Sequence, residues 1–240
     1  NTAHKTEKGE KVDIQDVLPE DEMGYLISIF YRMNQAVIER TRSLSIKAHY
    51  DQLTRLKNRH ALEIDLPNTL SEAEKNNTLV ALCFFDLNKF KPINDQFGHD
   101  IGDMLLIEAA KRIKSITRNH DDIYRIGGDE FIMVIKGVNN RSEVESFVER
   151  LFLAFESPIA VKNKEINIIF SLGIALYPED AKEIDTLIRC ADIAMYHAKS
   201  ISHQKGISHY CFYHSDMEKT DQSTNVDKSK STVVKNEGDG

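Results

Sequence analysis

The chain lacks any long apolar run. Its longest uninterrupted stretch, Leu79 to Phe85, has seven residues, far short of the ~18 or more that a bilayer-spanning helix needs, so no segment is expected to cross a membrane. Tryptophan is absent, and the three cysteines, Cys83, Cys190 and Cys211, are widely spaced among apolar neighbours. That pattern argues against a disulfide framework or a thiolate metal cage and for reduced core thiols. A basic excess is missing too. The 31 Lys and Arg stand against 38 Asp and Glu in 240 residues, a formal charge of −7. With its cations scattered, the chain is expected to bind no nucleic acid, and any polyanion it does bind would come with a metal. No Gly-x-x-x-x-Gly-Lys-Ser/Thr string occurs, which removes the P-loop as a phosphate cradle. The first residue is Asn and no signal-peptide pattern follows; the expectation is a cytoplasmic piece of a longer protein.

What is present divides by composition. Residues 1–19 are polar and charged without a readable period. Residues 20–50 carry a helical pattern, with Leu26, Phe30, Met33, Val37 and Leu44 on steps of four, three, four and seven. Those steps make a heptad seam suited to a parallel helical dimer, interrupted at Arg40. A single amphipathic helix lying on the domain is the alternative. Residues 215–240 are rich in Lys, Asp, Ser and Asn with almost no aromatics, and are expected to be disordered.

Between these flanks, residues 51–214 alternate helical and strand periods. A helix over Arg59 to Lys75 leads to a buried strand over Thr78 to Leu87, and a second helix carries Ile101, Met104, Leu105 and Ile113 on one face. The runs Ile123 to Ile126 and Phe131 to Ile135, split by Gly127-Gly128-Asp129-Glu130, read as a hairpin. A helix with Val144, Phe147, Val148 and Leu151, a strand over Ile166 to Leu176, a helix over Ile184 to Lys199 and a strand over Ser208 to Tyr213 complete the order. An α+β fold follows, with a mixed or antiparallel sheet flanked by helices.

Three clusters carry chemistry. Asp86 ends the buried run Leu79 to Phe85, and a carboxylate held where a strand emerges suits a hard cation such as Mg²⁺. At the hairpin tip two acids, Asp129 and Glu130, follow two glycines that let a ligand approach the backbone. Were the two strands neighbours, three carboxylates would share one edge, which suits metal ions on a triphosphate with a carboxylate to accept a proton. The third cluster, Asn94 to Asp103, leads into the second helix. An Asn and an Asp there have the donors and acceptors to read a guanine edge, or serve only as helix caps.

These residues resemble the GGDEF domain of diguanylate cyclases over residues 51–214. The resemblance rests on Asp51-Gln52-Leu53-Thr54 with Asn58-Arg59, on Phe85-Asp86-Leu87-Asn88-Lys89-Phe90-Lys91, and on Asn94-Asp95, Gly98-His99 and Gly102-Asp103. Arg125 to Phe131, Ser171-Leu172-Gly173-Ile174-Ala175, and Ala191 to Tyr196 with Ala198-Lys199 follow in family order. The resemblance implies a nucleotidyl-cyclase-like fold and the condensation of two GTP into cyclic di-GMP, with release of two pyrophosphates, by a homodimer. It places Asp86, the Leu87 carbonyl and Asp129 on two Mg²⁺, with Mn²⁺ as a substitute, and makes Asp129 or Glu130 the proton acceptor. Asn94 and Asp103 would read guanine with His99 beside them, and Lys91 and Lys199 would contact phosphate. Arg118 and Asp121, an Arg-x-x-Asp ahead of the hairpin, match the site where product inhibits.

The sequence departs from the family pattern in a few places. Asn88 stands where Asp is usual, Lys57 where we expect Gly, and Ser202-His203 where Gly-Arg is usual. A mostly neutral imidazole gives a phosphate tail less charge than a guanidinium, so GTP affinity is expected to be weaker. Residues 19–33 resemble the second half of a HAMP linker, which implies that residues 20–50 are a signalling helix and that the whole protein is tethered to a membrane.

Overall fold

A computed structural model describes residues 22–218. The chain divides into two compact units, residues 1–48 and residues 49–240, taken in turn. The first is represented by one helix, α1 (Glu22–His49). Leu26, Phe30, Met33 and Val37 lie on this helix and are about 60% exposed or more (59%, 68%, 63% and 61%), whereas the side chain of Leu44, the last position of the expected seam, lies outside the described residues. The polar segment 1–19 lies outside the described residues, as does the expected tail from residue 219 on.

The second unit follows the expected order, with additions. A two-residue strand β1 (Lys57–Asn58) precedes α2 (Arg59–Asn76), whose first turn is capped by the Asn58 side chain accepting from the Ala61 amide at 3.0 Å. Next come β2 (Leu79–Leu87), a short α3 (Phe90–Phe97), α4 (His99–Ile116), and the hairpin β3 (Asp122–Gly127) and β4 (Glu130–Val138). After α5 (Arg141–Glu156) a small hairpin, β5 (Ile159–Val161) and β6 (Lys164–Ile166), leads to β7 (Phe170–Tyr177), α6 (Ile184–Lys205) and β8 (His209–Phe212).

Six strands form one sheet in the order β1-β3-β4-β2-β7-β8. It is mixed: β2 runs antiparallel to both β4 and β7, whereas β1 with β3 and β7 with β8 are parallel. The central strand β2 alternates between two cores. Ala81, Cys83, Phe85 and Leu87 join Leu105, Ile113, Phe147 and Leu151 of α4 and α5 on one face. Val80, Leu82 and Phe84 join Leu62, Leu66, Leu187 and Ala191 of α2 and α6 on the other. Burial on both faces explains why β2 reads as a continuous apolar run.

Four expectations change. The strand expected over Ile166 to Leu176 is two strands, because the chain leaves the small hairpin at Ile166 and enters the main sheet at Phe170, while the alternation continues across the bend. Helix α6 continues to Lys205, where Gly206 takes a φ of 70° and ends it. The position that favours glycine is Arg55, at φ 62°, and not Lys57, whose ammonium instead bridges Asp65 at 2.6 Å and Asp122 at 2.7 Å. Order also extends into the expected tail: Glu218 pairs with Arg189 on α6 at 2.9 Å.

Contact between α6 and β7 depends on a missing side chain. A Cβ at Gly173 would lie 2.0 Å from the Ala191 carbonyl oxygen and 2.1 Å from the Met195 amide nitrogen, both backbone. No rotamer can relieve that clash, so the helix would have to lift. Gly173→Ala is therefore expected to destabilise the domain by about 3 kcal/mol, the upper part of the overpacking range. Urea denaturation checks this, and an unchanged midpoint would show that the helix yields at no cost.

Candidate active site

The register of β2 against β4 pairs Asp86 with Glu130, and the hairpin places Asp129 next to Glu130 at its tip. In this two-residue turn Gly127 pairs with Glu130 and Gly128 takes a φ of 48°, a conformation that glycine adopts without strain. The tip is tied to the core strand, since the Leu87 amide donates to the Asp129 carbonyl at 3.3 Å. The three carboxylates thus share one sheet edge, as the sequence clusters suggest.

A second support comes from the opposite side of the hairpin. The Arg125 guanidinium donates to the Gly128 carbonyl through Nε at 3.1 Å and Nη2 at 2.8 Å, and through Nη1 to Asp51 Oδ1 at 2.9 Å. Burial of Asp51 works against its charge, but hydrogen bonds from Thr54 and Arg125 hold its carboxyl below the usual range. The start of the domain is thereby fastened to the turn that carries the acids. The sequence motifs contain both residues, but nothing in their spacing shows that they meet.

Asp86 is 4% exposed. The Lys199 ammonium of α6 stands 2.6 Å from its Oδ1, a charge pair without the alignment of a hydrogen bond. A cation is therefore already drawn to this carboxylate. Burial and the charge of Asp86 push the Asp129 carboxyl up. Burial, Asp86, Asp129 and Asp192 push Glu130 up. Clustered acids held this way fit a divalent ion, which would relieve their repulsion. Among the described residues no three His, Cys, Asp or Glu side chains close into a cage. An ion here would thus take one or two carboxylates from the protein and the rest from water and phosphate, the usual arrangement for Mg²⁺.

The remaining candidates fall into two further groups. Asn94 on α3 has a buried Oδ1 without a partner. It sits where a Cβ on Gly102 would come within 1.8 Å, so that glycine makes room for the amide between α3 and α4. His99, Asp103 and Lys91 are exposed on the same two helices. The structure thus brings Asn94, His99 and Asp103 into one region around Gly98 and Gly102. Arg118 and Asp121 precede β3, whose five steps to Gly127 span ~17 Å, so they lie far from the hairpin tip. Arg118 is exposed. Asp121 is folded into its turn, Oδ1 accepting from the Lys136 amide at 2.9 Å and Oδ2 from the Arg118 amide at 3.3 Å. A cavity of about 1,100 Å³ between α2 and α6 is bordered by Glu130 but by neither Asp86 nor Asn94.

The raised carboxyls have a consequence for stability. A group whose pKa is raised by folding binds its proton more tightly in the folded chain. The associated stability is present at acid pH and is lost as pH climbs from ordinary carboxylate values through the raised ones. Asp129→Asn should therefore raise the Tm of the metal-free protein at neutral pH, by an amount that shrinks toward acid pH. Thermal melts between about pH 4 and about pH 8 check this; a gain independent of pH would separate the effect from charge.

Comparison with known proteins agrees with this fold. Residues 48–205 match the family described as "Diguanylate cyclase, GGDEF domain". MucR of Pseudomonas aeruginosa, a bifunctional diguanylate cyclase and cyclic di-GMP phosphodiesterase, is 36% identical over 206 residues, 86% of this chain and 28% of MucR. The diguanylate cyclase TpbB of the same species is 35% identical over 158 residues, 65% of this chain and 36% of TpbB. The chain therefore spans well under half of these relatives. The solved GGDEF domain of TpbB superposes with a TM-score of 0.68 at 30% identity, over 72% of this chain and 99% of that one. The coiled coil and GGDEF domain of DgcB from Caulobacter crescentus, in complex with c-di-GMP, shares the fold, with a TM-score of 0.69 at 22% identity over 80% of this chain and 100% of that one. The chain belongs to the GGDEF family of diguanylate cyclase domains.

Proposed function

We propose that the chain condenses two GTP into cyclic di-GMP, releasing two pyrophosphates. The observation that carries this reading is the convergence of Asp86, Asp129 and Glu130 at one sheet edge, with Lys199 reaching in from α6. Asp86, the Leu87 carbonyl and Asp129 would hold two Mg²⁺, or Mn²⁺ in their place, which when bound neutralise the triphosphate and polarise the attacked phosphorus. Asp129 being taken by the cation, Glu130 is left to accept the proton of the attacking 3′-hydroxyl. Burial and neighbouring acids push its carboxyl up, toward the basicity that proton transfer needs. Asn94 and Asp103 read the guanine edge with His99 beside them, and Lys91 and Lys199 grip phosphate. Catalysis is then positioning and charge neutralisation.

Each protomer offers one such edge, so the hydroxyl comes from a second copy and the active form is a homodimer. The open stripe Leu26, Phe30, Met33 and Val37 on α1 supports a parallel helical pairing. We read α1 as a signalling helix of HAMP type whose register sets how the two domains meet. In the whole protein it links to a membrane-tethered sensor; no helix among the described residues is long and apolar enough to cross a membrane itself. Product would return to the exposed Arg118, with Asp121 bracing the turn that presents it. A second reading, a weak or inactive domain that acts as a cyclic di-GMP receptor, is favoured only by His203 in the place of a guanidinium.

Purified protein incubated with GTP and Mg²⁺ is expected to yield cyclic di-GMP. The double variant Asp129→Ala, Glu130→Ala should make none while keeping the wild-type circular dichroism spectrum. Binding of cyclic di-GMP without its synthesis would establish the receptor instead. Added cyclic di-GMP should slow wild-type turnover, and Arg118→Ala should relieve that inhibition without changing the initial rate. Equal inhibition of the two proteins would exclude Arg118 as the product contact.

A further inference from the structure

The cavity between α2 and α6 has walls of unequal charge. Leu62, Leu66, Phe84 and Ile132 give it an apolar floor. Among its lining residues six are carboxylates and three are cations. One of the cations, Arg189, is already paired with Glu218 at 2.9 Å, so the acid excess facing the cavity is larger than that count. Glu74 on the last turn of α2, and Glu183 and Asp185 at the start of α6, are exposed. None of these three belongs to the carboxylate edge.

The volume, about 1,100 Å³, exceeds the ~300–1,000 Å³ of pockets that take whole small molecules. Its lining runs along α2 from Arg59 to Glu74, ~22 Å at the helical rise, which is room for about seven residues of extended chain. Shape and charge thus suit a short basic peptide with apolar side chains to set on the floor. The chain itself carries such a peptide to the place. Met217 and Glu218 lie against α6, the Met217 carbonyl 3.4 Å from His197 Nε2 and the Glu218 carboxylate on Arg189. Since Arg189 also lines the cavity, the chain leaves the described residues at its rim.

We infer that residues 228–235 dock in this cavity, with Val233 and Val234 on the floor and Lys228, Lys230 and Lys235 against its acids. The stretch Lys228-Ser229-Lys230-Ser231-Thr232-Val233-Val234-Lys235 holds three cations and no carboxylate. Its charge is opposite to that of the rim. From Lys219 to Lys228 is nine residues, ~30 Å when extended, so the connection is long enough to reach either end of the cavity. Such a composition gives the segment no core of its own, and the floor supplies the apolar surface it lacks. Exposed charge pairs are individually weak. Three of them, with two covered valines, make a contact that opens and closes readily. The contact is independent of the cyclase reading.

Hydrogen exchange of the full chain, followed by mass spectrometry, tests this. Amides of residues 228–235 are expected to exchange about tenfold more slowly than in the same sequence as a free synthetic peptide. Lys228→Glu, Lys230→Glu and Lys235→Glu together should remove that protection, as should Glu74→Lys, Glu183→Lys and Asp185→Lys together. The two sets combined should restore it. The lysine set alters none of the described residues, so it decides alone if the rim set loses its cooperative melt. Exchange as fast as in the free peptide overturns the inference, as does protection that survives the lysine set. A combined variant that melts cooperatively yet stays unprotected overturns it too. Protection that falls as the protein is diluted assigns the segment to the cavity of a second copy and overturns the contact within one chain.

Discussion

Asp86 and Glu130 stand opposite each other on adjacent antiparallel strands, a placement that like charges disfavour by cross-strand repulsion. Asp129 at the next position adds to it. Much of the surrounding structure serves to hold this arrangement against its own field. The strand that carries Asp86 is buried on both faces over nearly its whole length, so the carboxylate cannot retreat by moving its backbone. Lys199 supplies a counter-charge at 2.6 Å. The two acids at the tip respond in the only way left, by holding their protons more tightly than ordinary carboxylates do. The repulsion among these acids is unrelieved as the edge stands, and a divalent ion that bound there would relieve it and add stability.

The same edge is fixed from outside the core by Arg125. One guanidinium bonds the carbonyl of the turn and the first carboxylate of the domain, Asp51, and a planar fork of donors is suited to such a bridge where an ammonium would not be. Asp51 follows closely on the end of α1 at His49. The chain that enters the domain is thus bonded directly to the turn that carries Asp129. A second network lies along the same flank, where Lys57 and Lys136 share Asp122 and Lys57 also reaches Asp65. The short edge strand β1 carries one end of this network at Lys57, beside its two-residue pairing with β3.

Much of this was legible in the amino-acid order, for identifiable reasons. The run Leu79 to Phe85 declares a doubly buried strand because both of its faces meet a core, and the paired glycines declare a turn because one of them must take a positive φ. The short α3 was not legible. Phe90, Ile93 and Phe97 lie on one helical face and pack against the core, but the helix is only eight residues long and contains Pro92, too short and too interrupted a stretch to declare itself apart from the helix that follows. Nor was the hairpin of β5 and β6, whose strands are three residues each, shorter than a period needs. The setting of Asn88 was hidden for another reason. As a letter it reads as the loss of a charge, and only its burial against Ser171 and Ser202 turns it into an orphaned donor facing a cavity.

By itself the sequence determined the succession of elements, the α+β class, the family, and the identities of the acids at the edge. These depend on local periods and on short strings whose chemistry is the same wherever they lie. Only the tertiary structure decided that Asp86 faces Glu130, that Lys199 closes on Asp86 from a helix more than a hundred residues later, and that Asp121 spends its carboxylate on backbone amides. It also decided that Asn88, Ser202 and His203 share one space. Such facts belong to strand register and helix placement, which are set by how two apolar cores pack on the two faces of one sheet, and no local pattern carries them.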